Sequence, residues 1–339
     1  MDRKGSDGNQ KVISVVITAY NRTEFLPLAI ASVLKQVNME CEIEIIVVSN
    51  VDFGIDNLPS GCVFKKIIME GTIGEFLSIG IESSSGDVIA FLDDDDVWMA
   101  NRIMRLQSVF FNSNIVFYHN MYSYVDSQGN PIKYKRNVER NNFDAFTSPF
   151  ILYDSNDMKQ IREAVERRAD FNLSCIAVRR KLAFQHIGAL RMIKSAQDAF
   201  FFWIATMSGG NLFIDNLCLI QYRVHHSNVS STRSFTDKAK ELQKEIGTFE
   251  LLARLVEEME VPTNLKISLK KWLRLYYNEY TLILLTLTKG NKTLILKSIA
   301  SILKNDFVIR NTLKYRITGF GLLSILNRRL AWFFYDHLR

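Results

Sequence analysis

The sequence is poor in residues that would cross-link it covalently or divide it into flexible segments. It has 339 residues but only 4 cysteines and 5 prolines. The cysteines Cys41, Cys62, Cys175 and Cys218 include no C-x-x-C pair, so they predict neither a zinc site nor a redox motif. Their scatter favours a reduced, cytoplasmic protein. The scarcity of proline, together with 16 glycines, argues against a long flexible linker.

No long apolar run is present either. Residues 1–11 are polar and lack the apolar core of a secretory signal, so we expect a disordered tail there. The apolar run from Tyr280 to Thr288 ends at Lys289, far short of the roughly 20 residues of a spanning helix. We therefore expect no transmembrane segment. A hydrophobic content of 47% excludes a disordered chain and predicts a large buried core.

The chain also lacks a large excess of charge of either sign. Its net charge of +6 is too small to make nucleic acid the default partner. The excess is concentrated, because residues 265–339 contain 14 basic and 3 acidic residues, a net of +11, whereas the rest contains 28 basic and 33 acidic, a net of −5. Nucleic acid stays the weakest interpretation, since no recognised binding motif accompanies these bases.

Aromatic residues such as Trp272, Tyr276 and Tyr280 are interleaved with the basic residues of the C-terminal third. Basic helices with aromatic residues near the polar boundary are typical of contact with an anionic membrane surface. We therefore expect this region to lie at the inner face of the cell membrane. A helical region packed on the sheet with solvated charges, or a homo-oligomer interface, would explain the same residues.

Strand and helix patterns alternate over the first part of the chain. Continuous apolar runs predict strands at residues 12–18, 43–48, 62–68 and 88–92, and helical spacing predicts helices that end at Gln36 and at Ser83, the first capped by Asn21 or Thr23. This order predicts an α/β fold with a mostly parallel sheet flanked by helices. From about residue 236 every pattern is helical, so we expect a domain over 12–235 and an all-helical, basic region over 236–339.

Four adjacent carboxylates, Asp93 to Asp96, directly follow the predicted strand at 88–92. A solvated acidic turn is the simplest interpretation of such a run. Ligands of α/β sheets, however, bind outside the carboxyl ends of the strands, and a divalent cation would relieve the repulsion among these side chains. The position therefore favours Mg²⁺ or Mn²⁺ bridging to a diphosphate. An EF-hand is excluded, because no Gly and no distal Glu follow at the required spacing.

Several short motifs stand in a particular order along the chain. They are VVITAYNR at 15–22, Gly80-Ile81 and Gly86, FLDDDDVW at 91–98, SAQD at 195–198 followed by Phe202-Trp203, and YRVH at 222–225 with Asn228 and Ser230. Together they resemble glycosyltransferase family 2, over about residues 12–230. The resemblance implies the GT-A fold, a Rossmann-like sheet that binds a nucleotide-sugar donor.

The resemblance also implies roles for individual residues. It assigns nucleotide-sugar contacts to Thr18, Ala19, Tyr20, Arg22, Ser49, Asn50, Asp93 and Asp94. Asp93 and Asp95 match the D-x-D pair, with Asp95 as a ligand of Mn²⁺ or Mg²⁺ and His225 as a second ligand or a diphosphate contact. Asp198 matches the general base, which must take a proton from the attacking sugar hydroxyl. Helix capping is the alternative role for Asp198, and a structural role is the alternative for His225.

The implied reaction is metal-dependent, inverting hexosyl transfer from a nucleotide diphosphate sugar to a hydroxyl of a glycan or lipid-linked glycan. Uridine is the favoured base of the donor. Ser49-Asn50 stand where the family usually has an acidic pair that helps to hold the base and ribose, so guanosine and thymidine stay open. A polyprenyl-phosphate sugar synthase, whose phosphate acceptor needs little base assistance, is one alternative. A nucleotide-sugar-binding scaffold without catalysis is another.

Overall fold

The structure is a computed structural model that describes residues 11–37, 39, 41–54, 63–111, 113–132, 148–152, 157–226, 228, 234–288, 290–303, 319–322 and 324–325. Nearly all of the expected N-terminal tail, and many of the C-terminal bases, therefore lie outside the described residues. The strands are β1 Val12–Ala19, β2 Glu42–Ser49, β3 Val63–Ile68, β4 Val88–Asp93, β5 Val97–Trp98, β6 Ile115–Val125, β7 Phe150–Leu152, β8 Ile176–Arg179 and β9 Asn211–Arg223. The helices are α1 Leu26–Leu34, α2 Ile73–Glu82, α3 Arg102–Phe110, α4 Met158–Glu166, α5 Arg180–Gln185, α6 Ile187–Met192, α7 Gln197–Met207, α8 Phe235–Glu258, α9 Thr263–Leu287 and α10 Lys292–Leu303.

The strands form one mixed sheet in the order β3-β2-β1-β4-β8-β6-β9-β5, with β7 also paired to β9. Strands β1 to β4 are mutually parallel, and β6 and β9 are parallel to each other. Strand β8 is antiparallel to both β4 and β6, so β4 and β6 run in the same direction. Strands β1, β2, β3, β4, β6 and β9 therefore all share one direction. Strands β5, β7 and β8 run against them. The predicted α/β sheet flanked by helices is confirmed.

Helices cover both faces of the sheet. Successive strand residues point to opposite faces, and the apolar residues on each face are buried against helices. On one face, Ile13, Val15 and Ile17 of β1 pack with the apolar sides of α1 and α3. On the other face, Val16 of β1 and Phe91 of β4 pack in a larger cluster. That cluster includes residues of α2, α4 to α7 and the C-terminal helices.

The start of α1 differs from the expectation that Asn21 or Thr23 caps it. The helix begins after Phe25, and no side chain caps its amino end. Pro27 in the first turn removes a backbone donor that would otherwise need a partner. Asn21 is occupied elsewhere, because its backbone is left-handed and its amide groups face the loop after β2.

The predicted helical C-terminal region is confirmed, but Trp272 and Tyr276 of α9 pack in the core rather than at a solvent boundary. Trp272 is 1% exposed and lies 6.3 Å, between ring centroids, from Trp203 of α7. Tyr276 stacks on Phe249 of α8, with ring centroids 5.0 Å apart. These rings therefore join α8 and α9 to the core under the sheet. Within the described helices, none combines the length and apolarity needed to cross a membrane.

Candidate functional site

The carboxyl ends of β1, β2 and β4 meet at one edge of the sheet. Thr18 of β1 lies between Val48 of β2 and Asp93 of β4 in the strand register. The residues that follow these strands are Tyr20 to Arg22, Asn50 to Asp52, and Asp94 to Asp96. Three loops that are far apart in sequence therefore converge where the acidic run begins.

Arg22 neutralises the centre of the acidic run. Its Nε and Nη2 donate to the two carboxylate oxygens of Asp94 at 2.9 and 3.1 Å, and Nη2 also contacts Asp95. Burial raises the pKa of Asp94 to about 6, although the Arg22 hydrogen bond opposes that rise. A fork-shaped guanidinium can satisfy two carboxylates at once, so Arg22 holds the loop in one conformation.

The opposite side of the acidic loop is held by the end of β9. Arg223 is 2% exposed, and its Nε donates to the Asp95 carbonyl at 2.9 Å while its Nη1 donates to the Asp126 carbonyl at 3.1 Å. The Nε2 atom of His225 lies 3.1 Å from an Asp95 carboxylate oxygen. The ring of Phe25 packs against both side chains, 4.9 Å from each. The predicted pair of Asp95 and His225 is therefore brought together.

Asp96 is the most deeply buried carboxylate of the run, at 1% exposure. One of its oxygens accepts the Arg223 backbone N–H at 3.0 Å, while the other is buried with no hydrogen-bond partner. Burial, and then repulsion from Asp95, raise the pKa of Asp96 well above its usual range. Over the described ranges, no cluster of three or more His, Cys, Asp or Glu side chains could hold a metal by itself.

Asp198 lies in the first turn of α7 and faces the same edge. Its carboxylate accepts the backbone N–H groups of Ala199 and Asn172, each at 2.9 Å. Burial is the main cause that raises the pKa of Asp198 to about 6. Asp198 in turn contributes to the pKa of Asp93, which burial and the carboxylates of the acidic loop raise well above its usual range. The predicted base and the acidic loop therefore share one site.

A chain of hydrogen bonds connects the Asp198 carboxylate to the backbone N–H of Asp93 through the short 3-10 turn Leu173–Cys175. Asn172 donates its backbone N–H to Asp198, and its side-chain oxygen accepts the Ser174 backbone N–H at 2.9 Å. The Ser174 hydroxyl oxygen then accepts the Asp93 backbone N–H at 3.0 Å. The turn thus links the end of β4 to the start of α7.

The residues predicted to contact the nucleotide differ in accessibility. Tyr20 is 51% exposed, whereas Thr18, Ala19 and Ser49 are buried. The Ser49 hydroxyl donates to the Val51 carbonyl at 2.8 Å, so this side chain holds the turn after β2. Asn50 and Asn21 exchange two hydrogen bonds, at 2.8 and 2.7 Å. Tyr20 therefore offers an accessible ring, while Ser49 and Asn50 shape the loops around it.

Backbone strain is concentrated around the same edge. Within the described ranges, the non-glycine residues with positive φ are Asn21, Arg168, Asn172 and Ala196, at 59°, 60°, 68° and 56°. Asn21 precedes Arg22, while Asn172 and Ala196 flank Asp198. Such conformations cost free energy and cluster at functional sites.

Sequence reasoning missed Phe25, Asn172 and Ser174, and it assigned no role to Asp96. These residues act through packing or through hydrogen bonds that involve backbone groups, and no motif of side-chain types predicts such contacts. Asn172 had one usable signal, because a polar residue before a buried strand can cap the turn that leads into it.

Similar proteins were found by sequence, although no protein-family model matches the chain. An uncharacterized glycosyltransferase of Nostoc sp. is 35% identical over 111 residues, which are 31% of this chain and 34% of that protein. One of Haemophilus influenzae is 25% identical over 52% of this chain and 77% of that protein. An Escherichia coli protein, UDP-Glc:alpha-D-GlcNAc-diphosphoundecaprenol beta-1,3-glucosyltransferase WfgD, is 25% identical over 34% of this chain and 47% of that protein. The match thus spans about a third of the Nostoc relative.

Solved structures share the fold over nearly the whole chain. S. aureus TarS 1-349 in complex with UDP-GlcNAc has a TM-score of 0.60 at 12% identity, covering 93% of this chain and 88% of that one. Mannosyltransferase PcManGT from Pyrobaculum calidifontis, in complex with GDP-Man and Mn²⁺, has a TM-score of 0.54 at 12% identity, covering 96% of this chain and 90% of that one. Sequence relatives and structural neighbours therefore both point to glycosyltransferases.

Proposed function

We propose that the chain is an inverting glycosyltransferase of the family 2 type, with a GT-A fold. It transfers a sugar from a nucleotide diphosphate sugar to a hydroxyl of a glycan or lipid-linked glycan. The observation that carries this proposal is the meeting of Asp198 with the acidic loop of Asp93 to Asp96 at the carboxyl edge of the sheet. The glycosyltransferase names of the relatives, and the donors bound to the structural neighbours, support it.

Asp198 supplies the general base. A sugar hydroxyl is a weak nucleophile, so a carboxylate must take its proton as the oxygen attacks the anomeric carbon. The raised pKa of Asp198, about 6, makes this carboxylate a stronger base than an exposed one while it stays ionised at pH 7. Attack from the side of Asp198 expels the nucleotide diphosphate from the opposite side, which inverts the anomeric configuration.

A divalent cation fits the acidic loop. Asp95 and His225 already approach each other through an oxygen and a nitrogen, and the unpartnered oxygen of Asp96 lies in the next residue. Carboxylate and imidazole ligands suit Mn²⁺, and Mg²⁺ commonly takes one or two carboxylates and completes its shell with water and phosphate. Asp95 and His225 would hold the ion, which would neutralise charge on the leaving diphosphate.

The donor would lie over the loops that follow β1 and β2. Tyr20 presents an exposed ring on which a base can stack, and Arg22, two residues later, binds Asp94 of the acidic loop. WfgD is named for a UDP-glucose donor and TarS was solved with UDP-GlcNAc, so we favour a UDP-sugar. The GDP-mannose bound to PcManGT keeps a guanosine donor as the second candidate.

A donor panel tests this proposal. Purified protein incubated with UDP-, GDP- or dTDP-sugars and Mn²⁺ or Mg²⁺ should release nucleotide diphosphate from one donor class, and EDTA should stop the release. Tyr20→Ala tests the donor site separately, because it removes the exposed ring and should raise the KM for the preferred donor several-fold. Failure of every donor to bind or turn over with metal would refute the enzyme. Binding without turnover would instead favour the scaffold alternative.

We further propose that an anionic membrane surface presents the acceptor. Lys270, Lys271 and Arg274 of α9 are exposed on one face, beside Ile267, which is 49% exposed. Each basic residue near an anionic bilayer contributes about 1 kcal/mol. The same arrangement would serve a homo-oligomer interface, which size-exclusion chromatography with light scattering tests.

Flotation with anionic liposomes checks the membrane contact. Reversing the charge of Lys270, Lys271 and Arg274 to Glu should abolish co-flotation, while reversing Lys159, Arg162 and Lys181, which are exposed on α4 and α5, should not. The full chain is used because Leu265 and Trp272 belong to the shared core, so that deleting the C-terminal helices would disrupt the fold. Equal flotation of both variants would contradict the contact.

A further inference from the structure

The C-terminal helices hold the two segments that carry and contact Asp198. The first is the approach to α7, where Ser195 precedes the left-handed Ala196. Thr248 of α8 donates its hydroxyl to the Ser195 carbonyl at 2.7 Å, and the Ser195 hydroxyl donates to Glu241 of the same helix. The chain entering α7 is therefore tied to α8 on one side of the base.

The second segment is the loop from Arg168 to Asn172, which we call the base loop. It begins at a residue with positive φ and ends at the strained Asn172, whose N–H binds Asp198. Within it, the Phe171 carbonyl lies 2.8 Å from Nε2 of His119, so the β6 side of the loop is held by the sheet. A strained loop keeps its shape only where the surroundings fix it at several points.

The fixed point on the opposite side is Tyr276 of α9. Its hydroxyl donates to a carboxylate oxygen of Asp170, in the middle of the base loop, at 2.6 Å. The ring is held in place, because it stacks on Phe249 and meets Trp203 of α7 edge to face. Asp170 and Arg168 also act on Asp198 through their charges, the former raising and the latter lowering its pKa, after the larger effect of burial.

We propose that Tyr276 is a positioning residue for the base, which fixes the base loop through Asp170 so that the Asn172 N–H stays on Asp198. This inference rests on the proposed function of Asp198. It gives the C-terminal helices a part in the reaction that is separate from any membrane contact. Tyr276 touches no reacting atom, so its effect must reach the reaction through the loop.

Tyr276→Phe tests the inference, because it keeps the stacked ring and removes only the hydroxyl. We expect kcat to fall about tenfold, since sub-ångström misplacement of a catalytic group costs rate. The KM for the donor should stay within about twofold, because the donor lies at the acidic loop rather than at the base loop. Tyr277→Phe, which alters an exposed hydroxyl one residue away on α9, is the matched control and should leave both constants unchanged.

Hydrogen exchange followed by mass spectrometry provides a readout that needs no turnover. Peptides covering residues 168–172 should exchange faster in Tyr276→Phe than in the wild type, and no faster in Tyr277→Phe. The double variant Tyr276→Phe/Asp170→Asn should lose no more activity than the greater of the two single losses, since both act through one bond.

Three results would overturn the inference, and a fourth would refute the proposed function. Wild-type kcat and exchange in Tyr276→Phe would overturn the inference, as would a loss shared with Tyr277→Phe. Parallel changes in kcat, KM and melting temperature would also overturn it, because they indicate a merely structural residue. If the wild type turns over no donor, the proposed function fails, and the exchange at residues 168–172 still shows whether Tyr276 holds the base loop.

Discussion

Asp198→Asn should lower kcat by about 10²- to 10⁴-fold while leaving donor affinity nearly unchanged, because it removes the proposed general base and no proposed donor contact. Nucleotide release from the preferred donor, measured with saturating acceptor, gives kcat, and calorimetry gives the affinity. Retained transfer would instead favour the phosphate-acceptor alternative, in which an ionised acceptor needs no base.

The same substitution separates catalysis from folding. The pKa of Asp198 is raised from 3.8 to about 6 by burial, so its ionisation costs stability as the pH rises through 6. At pH 8 the amide removes that cost but can accept only one of the two N–H groups that face Asp198. We therefore expect a melting temperature within about 4 °C of the wild type. Asp87→Asn, at the opposite end of β4, is a control that should retain activity.

The pH dependence of the wild type follows from the same shift. The proposed base, Asp198, can accept a proton only when it is ionised, so kcat should fall as the pH is lowered through about 6 rather than near 4. A profile that stays flat down to pH 4.5 would show that the reacting base is another group.

Trp203→Ala should lower the free energy of unfolding by about 3–5 kcal/mol, the usual effect of emptying a large buried site. Trp203 is fully buried in α7 and packs against Phe202, Trp272 and Tyr276. Because these contacts cross from α7 to α9, we expect the sheet and the C-terminal helices to unfold in one transition. Urea denaturation followed by both tryptophan fluorescence and circular dichroism measures the change.

Phe184→Ala is the matched control, since this ring is 46% exposed and its loss should change stability by no more than about 0.5 kcal/mol. Two separate transitions, of which Trp203→Ala moves only one, would contradict a single cooperative core. They would support instead the domain boundary predicted near residue 235.

The sequence predicted the elements whose signal is local. The strand expected at 12–18 is Val12–Ala19, and the one expected at 88–92 is Val88–Asp93, because buried parallel strands appear as continuous β-branched runs. The cap of α1 was predicted wrongly, since Asn21 is used to bind Asn50 in a loop from another strand. Hydrogen bonds between loops that are far apart in sequence cannot be predicted from local residue spacing.

In the candidate site, too, the sequence predicted individual side chains but not the contacts between distant segments. Asp95, His225 and Asp198 are side chains of chemically distinctive types, and the structure brings them to one edge. Asn172 and Tyr276 were not predicted, because Asn172 contributes a backbone N–H and Tyr276 looked like a surface aromatic. These contacts join segments that are 26 residues apart for Asn172 and Asp198, and 106 residues apart for Tyr276 and Asp170.

The reversed direction of β8 has a consequence for how this site could change. Because β8 runs against β4, the turn that precedes it ends beside Asp93, and the pairing of Ala90 with Ala177 sets that distance. A slip of one residue in this pairing would move Asn172 by about 3.3 Å, more than a hydrogen bond tolerates. The spacing between base and acidic loop is thus a property of strand register. We therefore expect a substitution at a buried residue of β8, such as Ala177, to shift the turn that contacts Asp93 and Asp198.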